Sequence, residues 1–412
     1  MNVGGLRAMS WARRFFDRGY DVTVICGDGQ EADSCDYFRE NLDRTLTILK
    51  IHNPMLQDTP DQKIKRAPDP GFIDLMKERL RPYLPVLDSY VVWANAAKRV
   101  ALNEAKKKGT FDAIISTSFP LSAHEVAHNV MKSLNCLWIA DFRDFYGQFD
   151  SNTIDEHSFR QRFLSRWLRR CGSDINLVLS VSESLLALVE KALRLEIGTR
   201  SMVLYNGYFS EHLPMQGSKK APEWRILYTG SYNEQEFTLL PLVQALSAWK
   251  PSFGETPEIL FSGTALPVVE NAFCDIGMHV RFLGSMDNRE ALRMQAESAF
   301  LLICDSMTGK GALLTKTFEY LAAKRPIICI SRPGSELRNT LFKEAKPGYC
   351  VSIDAHEILS FIIQWKSTFG EKQIEDAFYD DALIQKFSRE NQADRLVDRV
   401  EAMVAEYQSV KK

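Results

Sequence analysis

The chain has 412 residues, 51 basic and 53 acidic, with a net charge of −2 at pH 7 and 45% hydrophobic residues. That length supports two domains with a large core, and the near-neutral balance argues against a general nucleic-acid binder, which would carry a basic excess. The eight cysteines stand singly, with no C-x-x-C pair and no Cys/His cluster, so they point to a reducing, cytosolic compartment and to no metal site; no apolar run approaches a membrane span, and nothing reads as a signal peptide.

Asn2-Val3-Gly4-Gly5 leads into a helical pattern over Leu6–Arg18, with Met9, Ala12, Phe15 and Phe16 on its apolar side. Gly19 is a C-cap signal, and Asp21–Cys26 (DVTVIC) reads as a buried strand. A further strand falls at Leu46–Ile51, and the polar, proline-rich stretch 53–70 reads as a loop. The stretch 73–108 is mostly helical, broken near Pro82 and Pro85. It mixes aromatic and basic residues, which suits a membrane-surface helix or, more simply, a domain helix with a solvated basic face. Phe111–Ser118 (FDAIISTS) is a buried strand ending in hydroxyl residues, and the helix after it carries His124 and His128 one turn apart. Leu137–Asp144 (LWIADFRD) is a strand whose end carries Asp141, Arg143 and Asp144. Polar side chains at successive strand ends predict a ligand crevice at the sheet's carboxyl edge. Phe159–Cys171 is a basic amphipathic helix, and strands at Leu177–Ser182 and Met202–Asn206 complete the first half.

Small and charged, GSKKAP at 217–222 is the linker. The second half alternates strands (Arg225–Thr229, Glu258–Phe261, Val280–Leu283, Phe300–Cys304, Ile327–Ile330, Tyr349–Ile353) with helices. Gly230, Gly263 and Gly284 each follow a strand, as tight turns facing a ligand require. Such alternation predicts an α/β protein of two doubly wound parallel sheets. The predicted domains are 1–210, a linker at 211–222, 223–380, and a final helical segment at 381–412. In Leu313–Ile330 (LLTKTFEYLAAKRPIICI) a helix is stopped by Pro326 before an all-apolar strand. Lys316 and Glu319 share a face near that helix's N-terminal end, where the dipole and unpaired amides attract anions. The lysine suits a phosphate and the carboxylate a ribose hydroxyl. The same pair also reads as an i,i+3 surface pair on an amphipathic helix.

K-x-x-E-Y-L-A-x-x-x-P followed by an apolar strand resembles the donor-binding helix of family-four-like retaining glycosyltransferases with the GT-B fold. The glycine pair before a helix, TSFPLSAH with IADFRD, and V-L-Y-N-G resemble other parts of that family in the right order. The resemblance implies two Rossmann-like domains facing across a cleft, with the last helix crossing back to the first domain. It implies transfer of a sugar, with retained configuration, from a nucleotide-diphosphate sugar to an acceptor hydroxyl. Donor-binding residues would be Gly4, Gly5, Gly230, Ser231, Lys310, Thr315, Lys316 and Glu319. His124 would act near the sugar as a hydrogen-bonding or proton-handling group, and Asp141 and Arg143 would orient the acceptor or support the pocket. No metal or other cofactor is expected, because protein donors would face the leaving diphosphate. The acceptor would be a glycan or a lipid-linked sugar of bacterial surface polysaccharide or glycolipid, at the cytoplasmic face of the membrane, with peripheral membrane contact and no nucleic acid. Two positions depart from the pattern. Gly311 stands near where many members carry a glutamate, and Ser231, Asn233 and Glu234 stand where relatives carry basic residues. The alternatives are a sugar-nucleotide epimerase of the same fold and a non-catalytic GT-B binding protein. A last expectation concerns Gly4: a doubly wound sheet needs a central first strand ahead of that turn. The three residues before Gly4 are too few for a strand of ~5–6 residues. Met1 is therefore expected to be an internal methionine of a longer natural chain.

Overall fold

The computed structural model describes residues 3–28, 46–52, 87–144, 159–213, 223–230, 232, 238–263, 266–305, 313–343, 346, 348–369 and 379–411. Contacts divide the chain into two units: Met1–Leu204 with Ala393–Lys412, and Tyr205–Gln392.

The first unit runs α1 (Val3–Asp17), β1 (Thr23–Gly27), β2 (Thr47–Ile51), α2 (Val91–Lys108), β3 (Ala113–Ser118), α3 (Ser122–Leu134), β4 (Leu137–Phe142), α4 (Phe159–Gly172), β5 (Leu177–Ser180), α5 (Glu183–Leu193) and β6 (Ser201–Val203). Gly4 and Gly5, expected as a turn before the helix, lie inside its first turn. Amides there have no intrahelical partner, so this is where helical glycine disrupts least. β5 stops short of the expected Ser182 because that side chain caps α5, accepting from Leu185 N. All pairings are parallel, but the strands form two sheets, β1–β2 and β3–β4–β5–β6. Among the described residues, β1 and β3 each have a strand neighbour on one side only. Both are largely half-exposed, while β4 is buried along its whole length. No described segment takes the place of the first strand expected ahead of Gly4.

Trp11 and Phe15 of α1 pack on Leu137, Ile139, Leu177 and Leu179, together with Leu396, Val397 and Val400 of the last helix (Arg389–Lys411). The 393, 396, 397, 400 spacing gives that helix one apolar face. Trp93, Ala94 and Ala97 of α2 pack with Ile25 and Ile51 of the smaller sheet.

The second unit holds a six-stranded parallel sheet of order β12–β11–β10–β7–β8–β9. Its strands are β7 (Glu223–Thr229), β8 (Glu258–Ser262), β9 (Val280–Gly284), β10 (Ser298–Cys304), β11 (Ile327–Ile330) and β12 (Tyr349–Val351). The helices between them are α6 (Leu240–Ser247), α7 (Pro267–Cys274), α8 (Asn288–Glu297), α9 (Thr315–Ala323), α10 (Glu336–Leu341) and α11 (Ala355–Gln364). After β12 and α11 come α12 (Asp381–Lys386) and α13, the last helix. β10 and β11 are buried throughout, as their unbroken apolar runs require of strands covered on both faces. From β7 the chain winds outward through β8 and β9, then resumes on β7's other side with β10. The switch point thus lies between β7 and β10, and their carboxyl ends frame the crevice where doubly wound sheets take ligands.

Candidate functional site

At the switch point of the second unit stand Thr229 and Gly230 from β7, Cys304 from β10, and the start of α9. Gly230 has φ +101°, a conformation that L side chains rarely adopt, and its amide donates to Ser262 O at 2.8 Å. Tyr320, fully buried on α9, places its hydroxyl 2.8 Å from Thr229 N and 3.0 Å from Thr229 Oγ1. That pair of bonds ties the helix to the turn. Leu314, at the N-cap of α9, offers no side-chain cap. The amides of Thr315 and Lys316 have no hydrogen-bond partner among the described residues. The helix end is open to an anion.

Lys316 Nζ lies 3.6 Å from the centroid of the Tyr228 ring, a cation–π distance. A Cβ built on Gly230 would stand 3.9 Å from the same Nζ, so the lysine borders the turn. Lys316 keeps some solvent access, yet it is crowded by protein, and this desolvation lowers its pKa to about 7 against the raising effect of Cys304 and Glu319. Glu319 is one turn on, with Oε1 3.4 Å from Asn288 Nδ2. Burial pushes its carboxyl up. Lys316, Thr315, Glu319 and Gly230 are therefore gathered at one end of one helix. Ser231 and Lys310 lie outside the described residues. Sequence reasoning missed Tyr228, which carries the lysine. An aromatic two residues before a strand-ending glycine was the available signal.

The other predicted residues sit in the first unit. Asp141 is fully buried on β4, and Arg7 of α1 grips it with Nε at 3.2 Å and Nη2 at 3.0 Å. Thr117 Oγ1 donates to Asp141 Oδ2 at 2.8 Å. These bonds join the start of α1 to the carboxyl ends of β3 and β4. Arg7 was not singled out, because pairing over 134 residues of separation leaves no local pattern. Arg143 turns back on the chain, Nε donating to Ser118 O and Nη2 to Phe119 O, while its buried Nη1 has no partner among the described residues. His124 is fully buried in α3 beside the Phe142 ring, 4.5 Å between centroids. Trp138 Nε1 donates to Ser116 Oγ, whose own hydrogen is then free for His124 Nδ1 at 2.8 Å. That leaves the ring proton on Nε2, which has no hydrogen-bond partner among the described residues. Burial, opposed weakly by Asp141, lowers the imidazole pKa to about 4, so it is neutral at pH 7. Gly4 and Gly5 lie three and two residues before Arg7 in the same helix.

Two doubly wound parallel units of this order define the GT-B class of α/β folds. No protein-family model matches the chain, and no curated protein does. Among solved structures it is similar to Alr3699/HepE of Anabaena, crystallised with UDP and glucose, at 12% identity and a TM-score of 0.62, covering 97% of this chain and 96% of that one. It is also similar to sucrose-phosphate synthase of Thermosynechococcus elongatus, at 12% identity and a TM-score of 0.60 over 97% and 92% of the two chains. A glycosyltransferase of Rickettsia africae matches at 14% identity and a TM-score of 0.60 over 97% and 95%. At such identity the likeness is one of fold.

Proposed function

We propose that the chain is a glycosyltransferase that moves a sugar from a nucleotide-diphosphate donor to an acceptor hydroxyl. The observation that carries this reading is Lys316 set against the open N-terminal end of α9 at the switch point of the second unit's sheet. An amine, free helix amides and a glycine turn converge there, which is the donor set a diphosphate needs. As the glycosidic bond to phosphate breaks, negative charge grows on the leaving diphosphate, and these groups lower the barrier by meeting it. Protein groups supply that charge, so the mechanism needs no metal. Glu319 accepts from a ribose hydroxyl, with Asn288 steadying its carboxylate. Several fold neighbours are themselves glycosyltransferases or were crystallised with UDP, which supports the choice of donor.

The finer reading follows the family resemblance: retention of configuration and a hexosyl donor. The acceptor is a glycan or lipid-linked sugar met at the cytoplasmic face of a membrane, with peripheral contact. No helix among the described residues is long and apolar enough to cross one. His124, neutral and with an unpartnered Nε2 proton, is suited to donate a hydrogen bond rather than to remove a proton. Asp141 and Arg143 support the pocket's frame.

A thermal-shift screen of nucleotide sugars, followed by transfer assays with the ones that bind, tests the proposal. A ligand at roughly 100 times its dissociation constant stabilises its protein by about 2.7 kcal/mol. Binding by no nucleotide sugar would defeat the reading. Release of free nucleotide with a new glycoside separates transfer from epimerisation of the sugar nucleotide.

A further inference from the structure

Lys316 has an unusual setting for a lysine. Its Nζ faces the ring of Tyr228 rather than a carboxylate. Among the described residues it makes no ion pair and no hydrogen bond. The described groups around it offer little negative charge. The phenols of Tyr228 on β7 and Tyr320 on α9 are both pushed up by burial. The thiol of Cys304, at the end of β10, is pushed up to about 12 by the same cause. Asp305, the next residue, accepts from Ser331 Oγ at 2.6 Å. Glu319, one turn along α9, is itself held up by burial. A crowded ammonium with no carboxylate partner is costly, and deprotonation relieves the cost.

We propose that Lys316 rests against Tyr228 as a neutral amine and takes up a proton from solvent when the diphosphate of a nucleotide sugar binds beside it, an uptake that rests on α9 being the donor site. The amine gains one proton and becomes an ammonium; the proton comes from water or buffer, and no other bond changes. The bound diphosphate is the anionic partner that the lysine lacks among the described residues. An opposite charge within a few ångströms raises an amine's pKa by ~1–3 units, which keeps the ammonium while the donor stays.

The consequence is a donor affinity that falls as pH rises. Below about pH 7 the ammonium is already present and affinity is level. Above it, only the protonated fraction is ready to bind. The apparent dissociation constant is divided by that fraction, so at pH 8 affinity should be about tenfold weaker than at pH 6. The site would thereby hold its donor less tightly in alkaline surroundings, with Lys316 as the sensor.

The test is a titration of the full-length protein carrying 13C-labelled lysine, with the Lys316 Cε signal assigned by its loss in Lys316→Arg. The expected midpoint in the free protein is about 7, against ~10.4 for ordinary lysines. UDP-glucose is the probe, with GDP-mannose as a second. Neither carries the terminal phosphate monoester that titrates near pH ~6. The bound probe should move the midpoint up by ~2 units or more. At pH 8, its calorimetric binding enthalpy should differ between phosphate and Tris buffers by the ionisation heat of nearly one proton. Lys316→Arg, permanently charged, should bind without that buffer dependence, and Lys316→Met should bind weakly at every pH. Circular dichroism of both variants separates loss of binding from loss of fold. A free-protein midpoint near 10 overturns the inference whatever the ligands do. A midpoint near 7, with no binding of either probe, instead overturns the donor-site reading and the proton uptake with it.

Discussion

Lys316 and Glu319 are adjacent on one face of α9, but their surroundings differ, an aromatic ring for one and Asn288 for the other. Lys316→Ala removes the side-chain amine of the proposed donor site and leaves the Tyr228 ring in place. Turnover should fall by ~10²–10³, the usual loss for one donor aimed at developing negative charge. The melting temperature should hardly move, since the lysine makes no ion pair and no hydrogen bond among the described residues. Unchanged transfer by this variant would misplace the donor site. Glu319→Gln keeps the shape, so it should weaken nucleotide binding more than it slows the chemical step, which steady-state kinetics would show as a KM effect. Gly230 tests the backbone: at φ +101° an alanine is strained by ~1–3 kcal/mol although its Cβ would find room. Chemical denaturation of Gly230→Ala should report that loss alongside weaker donor binding. His124→Ala removes a buried ring bonded to Ser116 and packed on Phe142. A fall in turnover with intact nucleotide affinity supports its place near the sugar, and equal loss of both marks it as packing.

At the scale of elements, α9 is a helix whose N-cap residue, Leu314, gives its first turn no side-chain cap. Leu314→Asp would supply the missing N-cap, and a good cap contributes about 1 kcal/mol. The same carboxylate would occupy the free amides and repel a diphosphate. A variant that melts higher and binds nucleotide sugars less well is the expected result; tighter binding would refute the anion site. In the first unit the corresponding element is α1, fixed by Arg7 to Asp141 on β4. Arg7→Ala leaves a buried carboxylate without its cation. Breaking such a pair costs ~3–5 kcal/mol, so this change should lower the denaturation midpoint more than any other single change named here.

For the whole molecule, the division into two units places Ala393–Lys412 with the first, although it is the last part of the chain. Leu396 and Val397 are fully buried against strands β4 and β5 and helix α1. Leu396→Ala should cost ~2–5 kcal/mol, and calorimetry should show the loss in the transition that nucleotide sugars do not stabilise. Arg14 and Arg18 of α1 pair with Asp394 and Asp398, which adds charge complementarity to that packing. Those pairs are partly exposed and contribute far less than the apolar face.

By itself the sequence determined the class of the fold and the placing of Lys316 beside Glu319 on one helix. Unbroken apolar strands such as IICI and SAFLLIC can only be buried on both faces, and their alternation with helices forces parallel sheets. Lys316 and Glu319 were legible because both lie within one turn of one helix, and a helix's geometry is local. The tertiary structure alone decided their surroundings. Tyr228 reaches Lys316 across 88 positions of sequence, Tyr320 holds Thr229 across 91, and Arg7 holds Asp141 across 134. Such partners are chosen by strand order and by which faces meet. The pKa values of Lys316 and His124 belong to the same class of fact, since desolvation is set by neighbours that only the folded chain assembles.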